Sequence, residues 1–214
     1  MSSKNLYIFG CGHGITTPGK RSPRGGWEGT SREPVDDDER LIHEWDVVRL
    51  IATKLGSRLM AMGVDHILMN HLCEVDIRLG DRVRYVNWYH KRNPSTIYIP
   101  LHINAEGWGS RWTDARGVRI HHYSRSTLEM AQAMVEAFEA NTQFPAVDTY
   151  KARFYKTVMG APLYELRATS CPTLLPEMGF QTNLLDAKYL ASEQGQDDCC
   201  DALAGFVQRW EGRQ

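Results

Sequence analysis

"NLYIFGCGHG", Asn5 to Gly14, is the stretch on which the fold reading turns. A strand-like apolar run, Leu6 to Phe9, ends abruptly in Gly10, Cys11, Gly12, His13 and Gly14. A second strand-like run, "DHILMNHL" (65–72), follows after "DERLIHEWDVVRLIATKLGSRLMAMG" (38–63). In that segment Leu41, Trp45, Val48, Ile51, Leu55, Leu59 and Met62 recur at three- and four-residue steps. This is the spacing of an amphipathic helix, with Gly63 as its stop. Strand, helix, strand in that order predicts a layered α/β domain.

Moving outward, "STIYIPLHIN" (95–104), "GVRIHHYS" (117–124) and "CPTLLPEMGF" (171–180) are further strand candidates. "DIRLGDRVRYVNWYHKRN" (76–93) reads as a helix ending before Pro94. "STLEMAQAMVEAFEAN" (126–141) starts on a Ser/Thr cap and places Leu128, Ala131, Met134, Val135 and Phe138 on one face. Residues 184–212 read as two helical pieces broken near Gly195. The expected architecture is one three-layer α/β domain over 1–214, a twisted mixed sheet of about five or six strands flanked by helices. Pro100 and Pro176 lie inside strand candidates and predict edge positions or bulges. No repeat or low-complexity linker interrupts the pattern, and 15–38, rich in Gly, Pro, Arg and then Asp/Glu, is a long loop.

Bulk properties exclude several classes. An apolar content of 42% with 24% charged residues is that of an ordinary globule. A net charge of −1 supplies no field toward nucleic acid or anionic membranes. The 5 cysteines show no CxxC spacing, which removes the common zinc and redox motifs and argues for synthesis in a reducing compartment. Neither a signal-peptide core nor a bilayer-length apolar run is visible, so the expectation is synthesis in the cytoplasm without stable membrane insertion. The sequence carries no signal for oligomeric state.

Loops converge at strand ends in α/β sheets, and three ionisable groups fall there: His13, His102 and Glu177. Glu44 sits early in the long helix, one position off the apolar stripe as read through Trp45. Two imidazoles and a carboxylate satisfy a catalytic zinc with one position left for water, and a second carboxylate then serves as base. Taken alone this set is weak, since any chain of this size can supply one. Glu177, inside an apolar strand, is costly there unless it is used or is satisfied by backbone N–H groups. His43, one helical step from Glu44, reads as solvent-facing. His121 and His122 point to opposite sheet faces and read as structural; His66, His71 and His90 carry no motif.

The wording around these residues resembles the zinc-dependent N-acetylmuramoyl-L-alanine amidases of the amidase 3 type, which cleave peptidoglycan. "GHG" (12–14) is similar to the family's first zinc-ligand motif, and "HEWDVVRLIATKL" to its Glu-led helix. "RLGDRVRYVN" resembles the helix that contributes Arg82 and Asn87, and "IPLHINAE" the strand that carries the third ligand. "LYELRATSCPTLLPEMGFQTN" resembles the segment bearing the catalytic glutamate. These motifs in order, from about Leu6 to Trp210, make the resemblance specific.

It implies His13, Glu44 and His102 as ligands to one Zn²⁺ and Glu177 as general base and acid. It also implies Arg167 as a partner for a stem-peptide carboxylate or the developing oxyanion. Asn104, beside His102 in the same motif, is a candidate substrate contact; apart from the resemblance, Trp108 and Trp112 are loop aromatics just after His102, placed to stack on sugar rings at the rim. The partner implied is peptidoglycan or a muropeptide, with no separate wall-binding domain. "TPGKRSP" after GHG suggests the phage and prophage subset, whose members reach the wall after holin-type release; delivery as an effector also fits. Members often carry Asp or Asn just before the GHG histidine, where this chain has Gly10 and Cys11, so a backbone carbonyl is the expected orienter of His13. Lys20–Arg24 and the acidic run 33–40 read as solvated loop, with a substrate-selecting lid as the alternative for the latter. Two other readings share the fold: a zinc peptidase or amide hydrolase acting on small peptides, and a non-catalytic binding module.

Overall fold

Residues Leu6–Cys11 form the first strand, β1, because an apolar run buried on both faces suits the interior of a parallel sheet. The structure, a computed structural model, describes residues 3–25, 39–107, 109–151 and 163–213. β1 pairs in parallel with β2 (His66–Met69) on one side and β3 (Thr96–Asn104) on the other. β3 continues in parallel to β6 (Leu175–Phe180). β6 pairs antiparallel with β4 (Val118–His122), which is parallel to β5 (Val147–Lys151). The result is a six-stranded mixed sheet in the order β2-β1-β3-β6-β4-β5, as expected in kind. β5, "VDTYK", has no apolar run to betray it in the sequence.

Helices α1 (Glu44–Ala61), α3 (Leu128–Asn141) and α6 (Glu193–Arg213) cover one face. α2 (Leu79–Arg92) and the single turn α4 (Tyr164–Ala168) cover the other, and α5 (Leu184–Ala191) rests on α6. The period of two along a strand sorts the side chains. Tyr7, Phe9, Ile97, Ile99, Leu101 and Ile103 enter the larger core, whereas Ile8 and Tyr98 pack with Val86 and Cys171 under α2. His102, an even step from Tyr98, therefore emerges on the α2 face. There it meets Glu177, its register partner on β6.

Several expectations are corrected. Helix α1 starts at Glu44, not near 38; Arg40 and His43 instead make bridges to Arg24 and Arg21. His43 is consequently extended backbone at the helix entrance and buried, because it never takes the helical step that would turn it to solvent. The buried stripe runs Glu44, Val48, Ile51, Leu55, Leu59, so Glu44 lies on it, while Trp45 is half-buried and Met62 exposed. Pro100 and Pro176 are on interior strands, so of the two expectations the edge falls and a broken register stands. The ladder accommodates them by interruption: β3 and β6 meet at Tyr98–Thr173 and again at His102–Glu177, and the register slips just beyond, between His102 and Asn104. The C-terminal helices break at Ser192 rather than near Gly195.

One buried carboxylate fastens the β4–β6 pair. Asp186 accepts from Arg116 Nε (3.0 Å), Gly117 N (2.8 Å) and Phe180 N (3.1 Å). Asp186→Ala strands two buried backbone donors and is expected to destabilise the fold by about 2–4 kcal/mol. Urea unfolding would show this as a lowered midpoint at unchanged slope.

Candidate metal centre and active site

The loop after β1 brings His13 to the sheet edge in a left-handed conformation, φ 57°. Its two neighbours must be glycine for contact reasons. A Cβ on Gly12 would lie 2.6 Å from the His102 ring, and one on Gly14 would lie 2.2 Å from Asp76 N. Arg49, one turn into α1 from Glu44, is buried and holds this loop. It donates to His13 O (3.0 Å), to Cys73 O (2.6 Å) and to Trp45 O (2.7 Å). The helix that supplies one candidate ligand thus also fixes the backbone of another.

Three side chains converge. His13 Nε2 is 3.5 Å from Glu44 Oε1, and His102 Nδ1 is 3.0 Å from the same oxygen. One ligand atom from each of His13, Glu44 and His102 lies within 4.8 Å of the others, the arrangement a single cation needs. Glu44 Oε1 also accepts from Ile103 N (3.1 Å). Glu44 Oε2 and Glu177 Oε2 are buried with no hydrogen-bond partner among the described residues. On a carboxylate whose Oε1 faces two imidazoles, a buried and unmatched Oε2 is costly as it stands and becomes favourable with a cation beside it. The donor set, two nitrogens and a carboxylate, fits zinc.

The electrostatics divide the groups by role. Burial pulls His13 down to about 4, so its imidazole is neutral at physiological pH, the form a cation binds. Burial opposes ionisation of Glu44, but His13 and His102 outweigh it and hold the carboxyl near 2. Burial likewise lowers His102, yet the Glu165 and Glu44 carboxylates overcome it and raise the imidazole to about 10. Glu177 goes the other way: burial, reinforced by Glu44, pushes it up to about 7. A carboxyl poised there can take and return a proton near neutrality.

Asp76 is the carboxylate that faces His13, its Oδ2 4.0 Å from Nδ1. Thr17 Oγ1 (2.6 Å) and Arg82 (3.0 Å) hold it in place. Asp76, in the loop before α2, is thus a carboxylate neighbour of the His13 ring, at ion-pair rather than hydrogen-bond distance. Asn87 has a structural part, donating to Ala168 O (3.1 Å) and accepting from Ser170 N (2.8 Å). A cleft of about 500 Å³ leads from His13 and His102 along Thr17, Asp76, Ile77 and Leu79.

The remaining expected residues are not gathered at the cluster. Arg167 is exposed, stacked over Tyr164 and lining a separate cavity of about 330 Å³ with Ser124 and Thr169. Asn104 turns its Oδ1 to Ala105 N (2.8 Å). Trp112 packs against the core and lines a cavity of about 630 Å³ with Glu106 and Asp114. Trp108, Trp27 and most of the acidic run 33–40 lie outside the described residues. Sequence reasoning passed over Asp76, Glu165 and Arg119, and of His121 and His122 it expected at most one to approach a site. Arg119 is the cross-strand partner of Glu177, and His121 shares that face, held neutral by burial near pKa 4, whereas His122 Nδ1 faces Ser124 O (3.1 Å). The alternation along β4 could have marked Arg119 and His121 once its pairing with β6 was known.

Comparison with known proteins agrees with this geometry. The family profile described as N-acetylmuramoyl-L-alanine amidase matches residues 9–209. The chain is similar in structure to the N-acetylmuramoyl-L-alanine amidase AmiC2 of Nostoc punctiforme, with TM-score 0.73, 24% identity and 98% of each chain covered. It is similar also to an N-acetylmuramoyl-L-alanine amidase from Clostridium difficile 630, with TM-score 0.72, 18% identity and 96% of each chain covered. The catalytic domain of an endolysin targeting Clostridia difficile matches with TM-score 0.61 and 18% identity, over 96% of this chain and 97% of that one. No curated protein sequence matches.

Cation uptake by the metal-free protein is expected to release roughly one proton between about pH 7 and 9. His102, raised to about 10, must give up the proton it holds, whereas His13 and Glu44 are already in their ligand forms. Affinity therefore rises with pH across that window. Calorimetric titration with Zn²⁺ in buffers of different ionisation enthalpy counts the protons, and a count of zero would show that His102 is already neutral before the cation arrives.

Proposed function

The chain belongs to the N-acetylmuramoyl-L-alanine amidase family, and on that footing we propose that it is a zinc-dependent peptidoglycan hydrolase. The bond cut joins the lactyl group of N-acetylmuramic acid to L-alanine of the stem peptide. The observation that carries the reading is the convergence of His13, Glu44 and His102 with Glu177 beside His102 on the neighbouring strand. Adjacent strands lie about 4.8 Å apart, so the base and the ligand share one face of the sheet.

Zinc bound there supplies Lewis acidity, polarising the scissile carbonyl and acidifying water. Within that arrangement His13 Nε2, the Glu44 carboxylate and His102 Nδ1 are the ligand atoms. Glu177 takes a proton from the attacking water as its oxygen joins the carbonyl carbon. It then returns that proton to the alanine nitrogen as the carbon–nitrogen bond breaks. The cleft along Ile77 and Leu79 is of a size that receives part of a stem peptide. Arg167, at its hydroxyl-lined cavity, is assigned to a stem-peptide carboxylate instead of the reacting carbonyl. Asn104 and Trp112 are assigned to the glycan side, and Trp108 is placed there by its sequence neighbourhood alone.

We read the enzyme further as a phage or prophage endolysin, one catalytic domain that meets the wall after holin-type release or effector delivery. "TPGKRSP" after the GHG motif and the likeness to an endolysin catalytic domain support this. Among the described residues no helix is long and apolar enough to cross a membrane.

Glu177→Gln is expected to lower release of N-terminal alanine from purified sacculi by roughly 10²–10⁴-fold while zinc content stays at the wild-type level. Chelation should abolish wild-type hydrolysis and added Zn²⁺ should restore it. Near-normal turnover in the Gln variant would remove Glu177 as base. Preference for free muramyl peptides over intact sacculi would instead mark a small-peptide hydrolase.

A further inference from the structure

His102 sits between two carboxylates, and only one of them belongs to the ligand cluster. Nδ1 faces Glu44 Oε1 at 3.0 Å, while Nε2 faces Glu165 Oε2 at 3.6 Å. Glu165 is 3% exposed, too deeply set in α4 to meet a polymeric substrate. Its other oxygen, Oε1, accepts from the Tyr98 hydroxyl at 2.6 Å. Tyr98 is fully buried and lies four residues before His102 on the same face of β3.

The ring has little room to choose another partner. His102 Nε2 is buried without a hydrogen bond among the described residues, and the separation to Glu165 closes with a sub-ångström shift. On the opposite edge Gly12 packs so close that a Cβ there would lie 2.6 Å from Cε1 and Nδ1. The imidazole is confined between Gly12 and Glu165, with one nitrogen turned to each carboxylate.

We propose that Glu165, seated by the Tyr98 hydroxyl, is the positioning residue for His102, holding Nε2–H so that the Nδ1 lone pair is turned to the metal. A neutral imidazole carries one proton, and the hydrogen bond made by one nitrogen decides that the other is the ligand. A carboxylate acceptor also makes the ligating nitrogen more basic. The competing account is charge balance, with Glu165 as counterion to the buried Arg82. Arg82 already has Asp76 at 3.0 Å and Ile77 O at 2.9 Å. Charge balance alone predicts lost stability in Glu165 variants with unchanged metal affinity.

The inference rests on the zinc reading above, and the test separates the two. Zn²⁺ affinity is measured by chelator competition on wild type, Glu165→Gln and Tyr98→Phe, with the visible spectrum of the Co²⁺-loaded proteins as a readout of ligand geometry. Glu165→Gln is expected to weaken Zn²⁺ binding ~10–100-fold and to alter the Co²⁺ spectrum. Tyr98→Phe, which removes only the hydroxyl, should weaken it about 3–10-fold. Wild-type affinity in the folded variants overturns the assignment whatever their thermal stability. Should Glu165→Gln fail to fold, Tyr98→Phe decides alone. Wild-type protein that takes up no zinc overturns the zinc reading and this assignment together, whereas normal wild-type uptake with unaffected variants overturns only the assignment.

Discussion

A carboxylate with no exposed surface, Glu44, is the constraint around which the molecule is arranged. Removing such a charge from water costs several kcal/mol even after relaxation, so its surroundings must compensate. Ile103 N–H and the His102 and His13 imidazoles address one oxygen. The second oxygen is left for a cation. Satisfying both requirements fixes where α1 begins, at the carboxyl ends of β1 and β3. Arg49 then converts that position into order in the GHG loop by gathering its carbonyls. The same helix bears one residue of the candidate metal cluster, buries its apolar stripe in the larger core and clamps the loop that carries another.

The second organising fact is the alternation along β3. Odd residues from Ile97 to Ile103 build the large core, and even residues build the site: Tyr98 below, His102 above. β6 and β4 add Glu177 and Arg119 to the same surface by register alone. Two carboxylates a strand apart consequently differ in character. Glu44, flanked by imidazoles, is held ionised near 2, whereas Glu177, buried with a like charge nearby, is pushed to about 7. That separation suits the two roles proposed, ligand and proton carrier, and it arises from placement because the two side chains are chemically identical.

Positioning groups form the next layer outward. Asp76, fixed by Thr17 and Arg82, stands behind His13, and Glu165, fixed by Tyr98, stands behind His102. Both come from the α2–α4 side of the sheet, opposite the three long helices. The larger layer holds most of the apolar core, and the smaller layer is where polar groups are buried in pairs. This division lets the scaffold be apolar and continuous while the chemistry is confined to one face.

How much of this was legible without coordinates follows from the range of each signal. The strand at Leu6, the α1 periodicity and the ordered motifs around His13, Glu44, His102 and Glu177 are local patterns, and local patterns survive in a linear sequence. They gave the α/β class and the four residues that the fold brings to one face. What they misjudged depended on neighbours distant in the chain. Periodicity puts Trp45 on the stripe that Glu44 occupies and His43 toward solvent, and a proline within a strand does not tell an edge from the interrupted ladder that central β3 shows. Arg119, Asp76 and Glu165 carried no motif, because their significance lies in a register, a loop approach and a hydrogen bond to Tyr98. Sequence determined which residues have the chemistry to act. Tertiary structure alone decided which of them face the same few ångströms of space, since strand order and helix placement are set by long-range packing that no window of residues contains.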